Sequence, residues 1–396
     1  MIPRLPAGAR GRVVVWGLLG SSPFGGMTWQ VTHHLEGLRR LGFDVWYVED
    51  SDNDDVYDPD TWWRTDGCRK NAAFVERQLR AIGFGDRWVF REPLRDACHG
   101  ALDRAGLREL HASADAVLNL CGATLPREEH AGLRRLVYLE TDPVASQVRV
   151  AEGVPWEIAK LGAHRHHATY GENLGAADCP VPVGRYDWIA TRPPVVVDWW
   201  SGAAPPGPDA ALTTVANWDT AGHDVAWAGA VWRWRKDLEF LRFRGLAHAA
   251  APFPVELAVA HIPDGDAAAM RAAGWRLTDA RALSDPARYR EHIRGSLGEL
   301  SVVKEMLSRP RTGWFSDRSV CYLAAGRPVV LQATGFEKLV PTGEGLFAFT
   351  TEDEARAALE ALRSDWARHA RAAEAIARDH FAAERVLDRL MRAVGL

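Results

Sequence analysis

The chain has 396 residues, 47% hydrophobic and 25% charged, with a net charge of −4; that length predicts two domains rather than one core, and the composition excludes a fibrous or disordered chain. Basic residues lie scattered among acidic ones, with no run that could follow a phosphate backbone, which argues against a nucleic-acid partner. Five cysteines (Cys68, Cys98, Cys121, Cys179, Cys321), odd in number and without a C-x-x-C spacing, suggest neither a disulfide framework nor a zinc ribbon and predict reduced thiols in the cytoplasm.

Arg4, Arg10 and Arg12 ahead of the apolar run Val13 to Leu19 imitate a short secretion signal. The run passes straight into a glycine-rich loop and then a helical pattern, as a buried first strand does. Arg12 to Trp16 predicts that strand and Gly17 to Gly26 the loop. Apolar positions at Val31, Leu35, Leu38 and Leu41 predict a helix over Thr28 to Leu41, stopped by Gly42. Phe43 to Val48 reads as a second strand ending in Glu49 and Asp50, which completes one parallel strand–helix–strand unit. A helix near Asn71 to Ile82 and buried strands at Ala116 to Leu120 and Leu136 to Leu139 continue the pattern, the last ending in Glu140-Thr141-Asp142-Pro143. Groups at such strand ends project into the ligand crevice of an open parallel sheet. No apolar stretch approaches the roughly 20 residues that cross a bilayer.

Pro193, Pro194, Pro205, Pro206 and Pro208 interrupt any helix or central strand between Thr191 and Ala210. The expected division is residues 1–192, a linker over 193–210, and 211–396. In the second part strands are expected near Leu212 to Ala216, Val255 to Ala260, Pro328 to Gln332 and Leu346 to Thr350, with helices between them. Thr351-Glu352-Asp353-Glu354 forms a capping box for a last helical run to Leu396. The fold class is α/β, with two Rossmann-like domains and a cleft between them.

The segment Gly313 to Val330 holds the richest chemistry. Ser316 is a helix N-cap, Asp317 to Ala325 a short helix, Gly326 its stop, and Pro328 to Leu331 the next buried strand. A helix opening this way turns free N–H groups toward the crevice, where a phosphate is stabilised. Arg318 would add a charge-assisted contact. Ser316 and Asp317 serve equally well as caps of an ordinary helix.

That succession of helix start, small-residue turn, Gly-x-Pro-Val-Val strand and following Gly-rich turn resembles the donor subsite of GT-B glycosyltransferases. Gly25-Gly26-Met-Thr-Trp-Gln, Leu38 to Asp50, Glu140-Thr-Asp-Pro143 and Tyr170-Gly-Glu-Asn-Leu-Gly175 resemble bacterial members as well, so the likeness spans nearly the whole chain. The resemblance implies metal-independent transfer of a hexose from a nucleotide-diphosphate sugar to a small natural product, a glycan or a lipid-linked glycan, with no further cofactor. It places the acceptor on the N-terminal domain and the donor on the C-terminal one, against Lys236, Lys304, Ser316, Asp317, Arg318 and Ser319. Gly25, Gly26 and Glu172 become cleft-loop residues on the acceptor side. Many retaining members carry a donor-ribose Glu five residues before the glycine matching Gly326; here Cys321 stands there, and Asp317 is the substitute. For an inverting reaction Asp142, at the end of its strand, is the candidate base, although an Asp-Pro pair also simply starts a turn. Glu140 alternates to the other face.

Other readings carry less. His164, His166 and His167 lack the spacing of a zinc site. Asp50-Ser-Asp52 resembles a metal-binding D-x-D, but acidic loops commonly follow strands. The loop glycines at 17, 20, 25 and 26 do not spell the dinucleotide fingerprint, which leaves an NAD-dependent oxidoreductase as the alternative enzyme and an inactive GT-B-like partner protein as the non-enzyme alternative. Trp199, Trp200, Trp232 and Trp234 offer faces for sugar stacking or fill the core.

Overall fold

The structure, a computed structural model, describes residues 2–51, 56–65, 68–92, 95–219 and 222–396. Two parallel sheets organise it. The first contains β1 (Arg12–Trp16), β2 (Asp44–Glu49), β3 (Trp88–Glu92), β4 (Ala97–Gly100), β5 (Ala116–Leu120), β6 (Leu136–Glu140), β7 (His166–Thr169) and β8 (Trp188–Ala190), in the order β8-β7-β6-β5-β1-β2-β3-β4. Only the edge strand β4 runs antiparallel to its neighbour. The second contains β9 (Leu212–Asn217), β10 (Val255–Ala260), β11 (Trp275–Asp279), β12 (Gly298–Ser301), β13 (Val329–Gln332) and β14 (Leu346–Phe349), ordered β11-β10-β9-β12-β13-β14 and parallel throughout. Val13, Val14, Val15 and Trp16 are all fully buried, as expected of a parallel strand covered on both faces by crossover helices.

In both sheets the strand order reverses beside the first strand, between β1 and β5 and between β9 and β12. Such a switch opens a crevice at the carboxyl ends of the strands. After β1 comes α1 (Gly25–Arg40), and between β12 and β13 comes α2 (Asp317–Ala324). The glycine-rich loop between β1 and α1 is held from below. Glu49, at the end of β2, accepts hydrogen bonds from the Gly20 and Ser21 amides (2.8 and 2.6 Å) and from the Tyr47 hydroxyl (2.8 Å). A Cβ at Gly20 would lie 2.7 Å from the Phe90 ring, so the turn needs a residue without one.

After β14 the chain forms α3 (Glu352–Ser364), opened by the Thr351–Glu354 capping box, then α4 (Trp366–Ile376) and α5 (Ala383–Ala393). The last of these, expected with the second domain, returns to the first sheet. Val195 exchanges backbone hydrogen bonds with Phe381 and Ala383 (2.8 and 2.9 Å). Leu387 and Ala383 sit so close to α1 that a Cβ at Gly37 would meet them at 2.6 and 2.7 Å. The physical reason lies in α5 itself, whose buried Val386, Leu387, Leu390 and Met391 form an apolar stripe that α1 covers.

Candidate functional site

A cavity of about 500 Å³ lies where the strand ends of the two sheets face each other. From the first sheet come Gly26 and Gln30 on α1, Cys121 after β5, Glu140 at the end of β6, and Thr141 and Asp142 beyond it. The second supplies Trp234 and Lys236 after β9, Lys304 after β12, and Ser316, Asp317 and Arg318 at the start of α2. Hydrogen bonds tie the walls together: Gln30 Nε2 to Asp317 Oδ2 (2.9 Å), Trp314 Nε1 to the Thr141 carbonyl (2.7 Å), and Lys304 Nζ to Asp142 Oδ2 (3.1 Å).

The start of α2 forms as its sequence requires. Ser316 has extended backbone, and its hydroxyl accepts the Arg318 amide hydrogen (3.2 Å); Gly326, at φ +63°, ends the turn that follows. Arg318, however, is largely spent on its own wall. Its guanidinium pairs with Glu299, a fully buried carboxylate on β12, and donates to the Val215 carbonyl (2.9 Å) and Ser301 Oγ (3.0 Å). Lys304 is shared between Asp142 and the face of Trp234, 3.4 Å from that ring's centroid. Lys236 is half-buried, and among the described residues its side-chain amine has neither a hydrogen-bond nor an ion-pair partner. Burial first, then the positive charges of Arg318 and Lys304, hold its amine well below the usual lysine range.

Two carboxyls at the cavity are shifted upward. Asp317 is raised to about 7 by burial, with the Asp142 charge adding to it and the Gln30 hydrogen bond opposing. Glu140 is also raised to about 7 by burial, against hydrogen bonds from Gln147 Nε2 (2.6 Å) and Thr169 Oγ1 (2.8 Å).

The structure thus brings together Gly26, Asp142, Lys236, Lys304, Ser316, Asp317 and Arg318. Three other expected site residues lie elsewhere. Ser319, on α2, is fully buried and does not line the cavity. Glu172 is held by Arg192 (2.8 Å) away from the cavity, where the return of the chain beyond β7 carries it. Gly25, beside Gly26, lines an adjoining cavity with Arg318, where a Cβ would stand 2.6 Å from the Leu283 carbonyl. Arg233 pairs with Asp224 (3.1 Å) and Arg235 with Asp237, so neither points to an open charge. Of the tryptophans, Trp234 lines the cavity while Trp200 is core, donating to His33 Nε2 (3.1 Å). Sequence reasoning missed Gln30, Trp314 and Cys121, and it set Glu140 on the other face, whereas Glu140 lines the cavity with Asp142. Gln30 had a signal in its place one turn into the helix after a glycine loop; the others lie at bends that periodicity does not resolve.

Asp50, His111 and His130 lie close enough to suggest a cation site. Their atoms are already used. Asp50 pairs with Arg91 and with Arg127 (2.6 Å), His111 Nε2 accepts from Trp16 Nε1 (3.0 Å), and His130 Nδ1 accepts from the Arg127 amide (3.1 Å). Asp52, the other half of the D-x-D, lies outside the described residues. His164 and His167 each meet backbone carbonyls, at 2.8 and 2.9 Å. No helix among the described residues is long and apolar enough to cross a membrane.

No family model matches the sequence, and no curated protein matches it either. Solved structures do match in shape. An alpha-glucosyltransferase (AGT) in complex with UDP superposes with a TM-score of 0.59 at 10% identity, over 98% of this chain and 100% of its own. HepE of Anabaena in complex with UDP-glucose superposes with a TM-score of 0.56 at 14% identity, over 98% of this chain and all of its own. What is shared at these identities is architecture, and on that ground the chain has the GT-B fold: two Rossmann-like sheets whose strand ends face a common cleft.

Proposed function

We propose that this protein is a glycosyltransferase that takes a sugar from a nucleotide-diphosphate donor and passes it to a hydroxyl acceptor. The observation that carries the proposal is Lys236: a half-buried amine that lines the cavity beside the start of α2 and, among the described residues, has no ion-pair partner, in the interdomain cleft of a GT-B fold whose neighbours of similar shape were solved with UDP and UDP-glucose. A diphosphate there would meet Lys236 directly and the fields of Lys304, Arg318 and the α2 N-terminus around it. Residues 211–349, which carry the second sheet, hold the donor in this reading. The acceptor enters from the side of α1 and the loop after β6, with Gly26 leaving room for it. A hexose is the transferred group, and because lysines and a helix N-terminus supply the positive charge, the transfer needs no metal.

Calorimetry with UDP, GDP, ADP and NAD, each with and without EDTA, tests this. One nucleoside diphosphate should bind at micromolar concentration in EDTA, and NAD should not. Tight NAD binding without any diphosphate binding would instead favour an oxidoreductase, and binding of neither would favour an inactive relative.

A further inference from the structure

Three carboxyls border the cavity on the path an acceptor hydroxyl would take, and their surroundings separate them. Asp142 is paired with Lys304 at 3.1 Å, so its Oδ2 is already engaged by a lysine of the opposite wall. Glu140 is only 3% exposed; Oε2 takes hydrogen bonds from Gln147 and Thr169, and Oε1, though without a partner, is closed off from solvent. Asp317 is different. It is mostly buried but not closed off, at the first position of α2, with Oδ2 fixed by Gln30 from the opposite wall, and among the described residues Oδ1 has no side-chain partner. Gln30 is itself oriented, because its amide oxygen accepts from Cys121 Sγ (3.5 Å), which turns the NH₂ toward Asp317.

We infer that Asp317 takes the proton of the acceptor hydroxyl, held in position from across the cleft by Gln30. This rests on the glycosyl-transfer reading. In the step, the acceptor's O–H proton passes to Asp317 Oδ1 as the acceptor oxygen bonds to the anomeric carbon; the bond from that carbon to the β-phosphate oxygen breaks, and its electron pair leaves on the nucleoside diphosphate. Lys236 lines the same cavity, and in its ammonium form it would meet the leaving charge. Around Asp317 stand Gln30 on α1, Cys121 after β5, Asp142 after β6, Tyr170 after β7 and Cys321 on its own helix, and the cations Lys236, Lys304 and Arg318 line the same cavity. Burial keeps both thiols and the phenol protonated, and the Asp142 charge disfavours the ionised form of Asp317. A carboxyl raised to about 7 in such a setting accepts a proton far more readily than an ordinary aspartate at the same pH.

The test uses the full chain with UDP-, GDP-, ADP- and dTDP-glucose, water serving as the acceptor, in parallel with calorimetry on the matching diphosphates. Asp317→Asn should lower kcat for hydrolysis by about 10²- to 10⁴-fold while the diphosphate Kd stays within about threefold. Wild-type kcat should rise with pH through about 7, and the variant should lose that limb. Gln30→Ala should keep the limb but move it to higher pH, since the hydrogen bond it removes favours the charged carboxylate. Full turnover in Asp317→Asn overturns the assignment, as does a large loss of diphosphate affinity with kcat unchanged, which would make Asp317 a donor contact. A collapse of turnover in Glu140→Gln, with Asp317→Asn active, overturns it in favour of Glu140. A wild-type chain that hydrolyses none of the four sugars and binds none of the four diphosphates sinks the glycosyl-transfer reading, and this assignment with it.

Discussion

The wall built on the second sheet brings Lys236, Lys304 and Arg318 to the cleft, whereas the wall built on the first brings Glu140 and Asp142 and, among the described residues, no cation. Charge alone would assign the donor to one side and the acceptor to the other. The partners refine that division: Arg318 belongs to Glu299, Lys304 belongs partly to Asp142, and Lys236, among the described residues, has no ion-pair partner. A basic residue in a cleft therefore says little until its counter-ion is known. Structural and ligand-binding cations look the same in a sequence and behave oppositely when removed.

Arg318→Ala is the change expected to do most, and it separates those two kinds of cation. Removing the guanidinium leaves Glu299 buried and unpaired, which costs about 3–5 kcal/mol of folding stability. Urea titration should show the loss, and the paired change Arg318→Met with Glu299→Gln should recover much of it. If Arg318→Ala keeps its stability but no longer binds UDP, the donor-side assignment of Arg318 was right and the structural one wrong.

Glu140 probes the other wall. Its folded pKa, about 7, lies above the ordinary 4.5, so its contribution to stability is fully present below about pH 4.5 and fades as pH rises through 7. By pH 8 the loss amounts to about 3 kcal/mol. Glu140→Gln should therefore be more stable than wild type at pH 8 and nearly equal to it at pH 5. Equal differences at the two pH values would mean that Glu140 is not held neutral.

Lys236→Met keeps the length of the side chain and removes the amine that has no ion-pair partner among the described residues. A charged hydrogen bond is worth about 1.5–3 kcal/mol, so UDP affinity should fall on the order of ten- to a hundredfold with stability unchanged or improved. The wild-type affinity should also weaken as pH rises through the depressed pKa of Lys236, because only the ammonium attracts the diphosphate. Calorimetry at pH 6 and pH 9 reads both effects, and affinity unmoved by the substitution would erase the contrast between the walls.

Much of this arrangement was legible in the sequence, and the gaps have physical causes. Apolar runs found β1, β5, β6, β10 and β13 because strands buried on both faces read as unbroken hydrophobic stretches. The central strand β12 escaped notice because Glu299 sits in its middle, and a charge there makes sense only once Arg318, 19 residues on, is seen to neutralise it. β11 was missed for a different reason, since an edge strand of Trp, Arg, Leu, Thr and Asp is half exposed and looks like loop. The Ser316 cap and the Gly326 stop were readable, being local chemistry. The Gln30–Asp317 and Lys304–Asp142 contacts join residues 287 and 162 positions apart, and no local pattern announces such pairs.

The smallest expected effect belongs to Asp142→Asn, and it is the finest test of the comparison. The ion pair with Lys304 spans the two walls with Asp142 one-third exposed, and partly exposed pairs contribute about 0.2–1 kcal/mol. Replacing the carboxylate should leave stability almost unchanged and release Lys304 toward an incoming diphosphate, so that UDP binds up to about fivefold more tightly. The same change removes the negative charge that helps hold the proton on Asp317, so the pH limb of kcat should move to lower pH. Tighter binding, turnover within a few-fold of wild type and a limb shifted downward would together place Asp142 with the structural ions. Loss of turnover by 10²-fold or more in a folded, nucleotide-binding variant would make Asp142 the base after all, and the first wall would then hold the proton acceptor on its own strand end.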